Sequence, residues 1–418
     1  MRKFESDFLL GAATAAHQVE GNNTYSDFWA LEQLPHSMFK EPSLDAVDHY
    51  NRYEEDIKLL ANAGLNAYRF SIEWARLEPE EGVWRKDEEE HYRDVIKCCR
   101  DNGVEPIVTL HHFSSPKWLI QKGGWENPET ARLFAAYCEK VVKALGDQLR
   151  YACTINEANI GLQISKLIID MQKRAASDVQ VGLNISEPNN MMLYMKEAGE
   201  AFGLDPRHIN TFLSPRTAVG DGVIIDAHVR AREAIKAACP HLKVGVTLSL
   251  HDFNALPGGE HKAKLEWIEE FLHYLPYIEK DDFIGIQCYT RKLVNKDGIV
   301  QPGADARRTM MGYEDYPAAI VNVTRKVAED FKGEIIITEN GICTADDKRR
   351  IEFIDEALTG IRACIAEGLP IKGYCYWSLL DNFEWQLGFD KTFGLIAVDR
   401  TTQTRYPKES LAFLGSQR

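Results

Sequence analysis

Two kinds of segment alternate along the chain. Short apolar runs rich in Val, Ile, Tyr and Phe occur eight times, at FLLGAAT (8–14), AYRFSI (67–72), PIVTLHH (106–112), YACTIN (151–156), KVGVTLSL (243–250), FIGIQCY (283–289), EIIITE (334–339) and KGYCYWS (372–378). Runs of this length without strict polar alternation predict strands buried on both faces. Between them lie longer stretches with apolar residues at helical spacing, such as YEEDIKLLANAG (53–64) and RRIEFIDEALTGIRACIAEG (349–368), each closed by a glycine that stops a helix. Strand then helix, eight times over, predicts an α/β fold with parallel strands, and eight is the number that closes a (β/α)8 TIM barrel. One domain over 1–418 is expected. A doubly wound open sheet would carry a Gly-rich phosphate loop after an early strand, and neither G-x-G-x-x-G nor G-x-x-x-x-G-K-[ST] occurs.

The interval between the fourth and fifth strands, residues 157–242, is much longer than one helix needs. Its segment 163–216 contains SEPNNMMLYMKEAGEAF and holds four of the eight methionines, at 171, 191, 192 and 195. Two readings apply: an extra helical excursion packed on the barrel, or a pliable apolar wall beside the site, since Met accepts varied apolar ligands.

Composition narrows the partners. A formal charge of -14 opposes nucleic acid phosphates and anionic lipid, and no Lys/Arg stripe overrides it locally, so a neutral or cationic small molecule is the expected ligand. The nine cysteines are scattered without C-x-x-C spacing, several inside apolar runs, as expected of reduced buried thiols in a cytoplasmic protein. The N-terminal MRKFESDFLLGAATAA resembles a secretory signal only until Glu5 and Asp7 interrupt it, and no stretch reaches the length of a membrane span.

In a barrel of this kind chemistry gathers at the C-terminal ends of the strands. Those ends carry Gln18 and Glu20, Arg69 and Glu73, His112, Asn156 and Glu157, Tyr289, Glu339, Trp377, Glu384 and Trp385, more polar and aromatic groups than a core requires. Two glutamates, Glu157 and Glu339, each follow a β-branched run and can face one another across the barrel mouth. Paired carboxylates without a phosphate loop or metal cluster point to acid/base and nucleophilic work on a neutral polar substrate, and a sugar fits. Trp377 and Trp385 offer flat apolar faces for a pyranose ring, and Gln18, His112 and Glu384 offer groups for its hydroxyls.

With these residues the chain resembles glycoside hydrolase family 1, the β-glucosidase family. The resemblance rests on GAATAAHQVEG (11–21), YRFSIEWARLEP (68–79), TLHHFSSPKWL (109–119), TINEAN (154–159), DFIGIQCYTR (282–291), MGYEDYP (311–317), IITENG (336–341) and YWSLLDNFEWQLGFDKTFGLIAVD (376–399), in family order across nearly the whole chain. It implies a retaining β-glycosidase that cleaves a terminal β-D-glycosyl residue through a covalent glycosyl-enzyme, without cofactor or metal. Glu339 would be the nucleophile, held ionised by Arg69 and Tyr289, and Glu157 the acid/base, with its pKa raised by burial and by the charge of Glu339. Retention requires the two carboxyls roughly 5–5.5 Å apart. By the same resemblance Asn156 meets the sugar 2-hydroxyl. Gln18, His112, Glu384 and Trp385 hold the other hydroxyls, and Trp377 lies under the ring. A carboxylate at Glu384 would repel a 6-phosphate.

The chain departs from the family pattern at Ala158, where Pro is usual, at Gln287 and Cys288, where Asn and Tyr are usual, and at IGLQISKLIIDMQ (160–172), which replaces the usual Gly-Tyr and Ala-Pro-Gly pattern. The last lies on the leaving-group side, so bulky apolar aglycones are expected. A sugar-binding barrel without turnover need not keep both glutamates. A zinc site built from LHH (110–112) with His17 or His49 is disfavoured because adjacent strand histidines point to opposite faces. Transglycosylation is a variant of the same chemistry, in which an alcohol intercepts the glycosyl-enzyme.

Overall fold

The computed structural model describes residues 3–172, 179–184 and 191–418. All eight apolar runs form strands: β1 (Leu9–Ala13), β2 (Ala67–Ser71), β3 (Glu105–His111), β4 (Tyr151–Ile155), β5 (Lys243–Ser249), β6 (Phe283–Gln287), β7 (Glu334–Asn340) and β8 (Ile371–Trp377). Each pairs in parallel with its sequence neighbour, and β1 pairs with β8, Leu9 opposite Gly373 and Ala13 opposite Trp377, which closes the barrel. Closure brings backbones close together. A Cβ on Gly11 would stand 2.0 Å from the Ala67 carbonyl oxygen, so β1 reaches β2 only because residue 11 has no side chain.

The predicted helices appear as His49–Asn62 and Asp347–Ala366. Asp346 caps the second by accepting from the Lys348 and Arg349 amides, and Gly64 and Gly368 follow the two helices at φ of +100° and +93°. Glu129–Leu145 and Ala218–Ala238 pack together outside β4 and β5. Short strands after β5 and β6, Asp252–Ala255, Arg291–Asn295 and Gly298–Val300, form a small separate sheet.

The long interval after β4 contains helices Ile160–Gln172 and Met191–Phe202. The SEPNN part of the motif noted above (186–190) lies outside the described residues. Met171, Met191 and Met195, with Met38, line an apolar cavity of about 440 Å³ that is bordered by Trp385, whereas Met192 is 87% exposed. The excursion thus packs on the barrel and also builds an apolar wall. No helix among the described residues is long and apolar enough to cross a membrane.

Candidate active site

Glu339 stands near the end of β7, where the register against β6 shifts between Ile337 and Glu339 and that against β8 shifts between Ile337 and Asn340. Such irregularities re-aim a side chain, here toward three donors. Arg69 Nη1 (2.6 Å) and Gln287 Nε2 (2.9 Å) donate to Glu339 Oε1, and the Tyr289 hydroxyl (2.6 Å) donates to Oε2. Arg69 is fully enclosed in the barrel, its Nε on Thr109 Oγ1 at 3.1 Å and its Nη2 on Asn156 Oδ1 at 2.6 Å.

Asn156 fixes the next group. Its Oδ1 also accepts from Gln287 Nε2 at 2.7 Å, so its Nδ2 is the donor toward His112 Nε2, at 3.1 Å. A neutral imidazole that accepts at Nε2 carries its proton on Nδ1, and His112 Nδ1 is buried with no partner among the described residues. Burial, with Arg69 nearby, holds the ring's pKa well below its usual range, so His112 presents a neutral N–H donor. Gln18 donates from Nε2 to the Phe383 carbonyl at 2.7 Å and to Asn382 Oδ1 at 3.2 Å, leaving Oε1 as a buried acceptor.

Glu157 follows β4 in the left-handed region, at φ 44°, as do Phe113 (66°) and Trp385 (47°). Non-glycine residues hold this backbone only where their surroundings impose it. For Glu157 they do: its amide donates to Thr247 Oγ1 at 2.9 Å, and the Ala158 amide to the Thr247 carbonyl at 3.0 Å. Burial raises the Glu157 pKa well above the ordinary range and the charge of Glu339 adds to it, with Arg69 opposing. Glu339 is also raised by burial, but Arg69 and Tyr289 stabilise its ionised form directly. The proton shared by the pair therefore resides on Glu157.

His112, Phe113, Asn156, Glu157, Tyr289, Glu339, Trp377, Glu384 and Trp385 line one pocket at the barrel mouth, together with Gln180 and Val181. Arg69 stands behind it, bonded to Glu339 and Asn156, and the Gln18 side chain meets the Glu384 carboxyl. Burial, reinforced by Glu339, raises Glu384 to about 8, so near neutral pH it is a neutral acid in this pocket.

Other strand-end residues belong elsewhere. Glu20 is paired with Arg76 at 2.7 Å and with the Tyr92 hydroxyl, and Glu73 accepts from the Ala75 amide and Ser114 Oγ, each at 3.2 Å. Both serve a buried polar network beside the pocket. His111 faces away from His112, on Ser115 Oγ at 3.0 Å and among Trp125 and Phe212, while His17 and His49 are engaged by Glu32 and Asp56. Among the described residues no three His, Cys, Asp or Glu side chains converge as a metal site. Sequence reasoning missed Gln287 as a partner of Glu339, and it missed Phe113, Gln180 and Val181 as pocket walls. Only Gln287 had a signal, its departure from the family's Asn.

Comparison with known proteins gives the family and the fold. The model of glycosyl hydrolase family 1 matches residues 1–171 and 262–417, leaving the stretch between them unmatched. The crystal structure of β-glycosidase BGL167 superposes with a TM-score of 0.90 at 42% identity, covering 99% of this chain and 96% of that one. β-Glucosidase A of Thermotoga maritima is 30% identical over 98% of this chain and 96% of its own length. The coniferin β-glucosidase of Pinus contorta is 31% identical over 97% and 90%. With the eight-stranded barrel, the two glutamates in one pocket and a family model covering most of its length, the chain belongs to glycosyl hydrolase family 1.

Proposed function

We propose that the protein is a retaining β-glycosidase, a β-glucosidase by preference, with Glu339 as nucleophile and Glu157 as acid/base. The observation that carries this reading is asymmetry within one pocket: Glu339 receives three donors from Arg69, Gln287 and Tyr289, whereas Glu157 sits beside it in a desolvated position that favours its neutral form. Glu339 attacks the anomeric carbon while Glu157 protonates the departing oxygen. Once the ester forms, the charge at Glu339 is gone, the pKa of Glu157 falls, and Glu157 can deprotonate the incoming water. An alcohol in place of water gives transglycosylation. Asn156 lies between Arg69 and His112, suited to meet the 2-hydroxyl. Gln18 Oε1, His112 Nδ1 and Glu384 provide an acceptor, a donor and a group able to do either for the remaining hydroxyls, beside Trp377 and Trp385. A panel of p-nitrophenyl β-glycosides with product stereochemistry read by NMR tests the reading: β-glucoside should give β-glucose first, and first-formed α-glucose would overturn it.

Tyr289→Phe removes the hydroxyl 2.6 Å from Glu339 Oε2 and with it a bond that favours the ionised form. The pKa of Glu339 should rise, so the acid limb of the pH–rate profile should move to higher pH and kcat should fall about 10- to 100-fold. An unmoved acid limb would argue that Tyr289 does not hold the nucleophile.

The Met-lined cavity supports bulky apolar aglycones as preferred leaving groups. It is walled by Leu167, Met171, Leu183, Met191 and Met195 and touches the catalytic pocket at Trp385. Octyl or aryl β-glucosides should be hydrolysed with higher kcat/KM than cellobiose, and an equal or better value for cellobiose counts against it. A cytoplasmic location is supported by the nine cysteines, all free thiols.

A further inference from the structure

The catalytic pocket has room for almost nothing. Its cavity is about 20 Å³, where a single water needs about 10–15 Å³ and ligand pockets run to about 300–1,000 Å³. Part of its wall comes from a short stretch of chain, residues 179–184, which lies in the interval that the family model leaves unmatched and places Gln180 and Val181 against the cavity. This strap is fastened at several points. Gln180 Oε1 accepts from the Tyr289 amide at 2.7 Å and its Nε2 donates to Ser249 Oγ at 3.2 Å. The Gly182 carbonyl accepts from the Gln386 amide at 3.0 Å, and the Gly182 amide bonds the Glu384 carboxyl. The Asn184 amide donates to Gln386 Oε1 at 2.7 Å and its Nδ2 to the Met38 carbonyl at 3.0 Å. Val181, 5% exposed, faces the catalytic pocket, and Leu183 faces the Met-lined cavity on the other side.

We infer that the strap Gln180–Asn184 occupies the glycone site in the free protein and must be displaced by the sugar, so that its anchoring sets glycoside affinity. The Gly182 amide takes the place of a sugar hydroxyl on Glu384, and Val181 shares with Trp377 and Glu339 the wall of the cavity that a pyranose ring must enter. Displacing the strap also joins the glycone pocket to the Met-lined cavity beyond it, giving one continuous site. A binding-competent state populated only in part weakens apparent affinity by that fraction, so loosening the closed strap should tighten substrate binding. The inference rests on the glycosidase reading above, and its test separates the two.

Gly182→Ala distinguishes a displaced strap from a permanent wall. In the closed position the new Cβ would stand 2.4 Å from the Glu384 carbonyl oxygen and 3.0 Å from its Cγ, a clash with backbone that displacement relieves. If the sugar displaces the strap, only the closed state suffers: KM for p-nitrophenyl β-glucoside should fall about 3- to 10-fold with kcat nearly unchanged. If the strap stays in place with sugar bound, the clash pushes on Glu384 and KM rises; a risen or unchanged KM overturns the inference. Asn184→Ala, which loosens the strap away from the reacting groups, should lower KM in the same direction. Hydrogen exchange on the unmodified enzyme gives an independent readout. Labelling with 2-deoxy-2-fluoro-β-glucosyl fluoride should speed exchange of the peptide covering 179–184 at least several-fold, and unchanged or slowed exchange overturns the inference. If the label fails to attach to Glu339, the catalytic assignment falls instead.

Discussion

Glu339→Gln is expected to lower kcat on p-nitrophenyl β-glucoside by about 10⁴-fold or more, the loss that follows when a covalent nucleophile is removed and only binding and polar stabilisation remain. The amide keeps the shape of the side chain but has no negative oxygen to form the ester. The surroundings cannot substitute: Arg69, Gln287 and Tyr289 all donate, and among the described residues no second carboxylate shares those donors. The change also leaves Arg69 buried with its remaining bonds to Asn156 and Thr109, so a lower Tm accompanies the loss of activity. Activity is measured on folded protein, with intact mass after exposure to the fluorosugar. Residual turnover above about one per cent of wild type, or continued labelling at the same position, would sink the assignment.

Glu157→Gln should separate substrates by their need for a proton. For an alkyl glucoside, whose alkoxide is a poor leaving group, kcat/KM should fall about 10²- to 10⁴-fold. For a dinitrophenyl glucoside, whose phenolate leaves unaided, the first step should change little, while the glycosyl-enzyme accumulates for want of a base. Added azide, a nucleophile that needs no deprotonation, should then restore turnover and give the β-glycosyl azide. The pH profile provides a second check. Burial and the Glu339 charge raise the pKa of Glu157, so it is protonated and active below that value, and activity declines as pH rises through it. The alkaline limb should therefore vanish in the variant, while the acid limb, set by ionisation of Glu339, remains. An alkaline limb that persists would assign the acid role to another group.

Much of this architecture was legible in the chain. Strands buried on both faces leave continuous apolar runs, and all eight were found within two residues of their observed ends. The two glutamates were equally visible, because a strand end in this fold is both rigid and exposed to ligand. Composition could not rank the other strand-end acids. Glu20 and Glu73 look like Glu157 in sequence, yet Arg76, Tyr92 and Ser114 draw them into a separate network. Gln287 was noticed as a departure, but its bond to Glu339 depends on the register between β6 and β7, which no local pattern encodes.

The sequence by itself determined the eightfold succession of strand and helix, the pair of carboxylates and the family, because these rest on local periodicity and on residue types at fixed spacing. Only the tertiary structure decided which glutamate is fed by three donors, which nitrogen of His112 remains a donor toward the pocket, and that Gln180 and Val181 form part of its wall. Those features arise from side chains far apart in the chain meeting in a desolvated space, where a shift in register of one residue would change the partner and with it the charge.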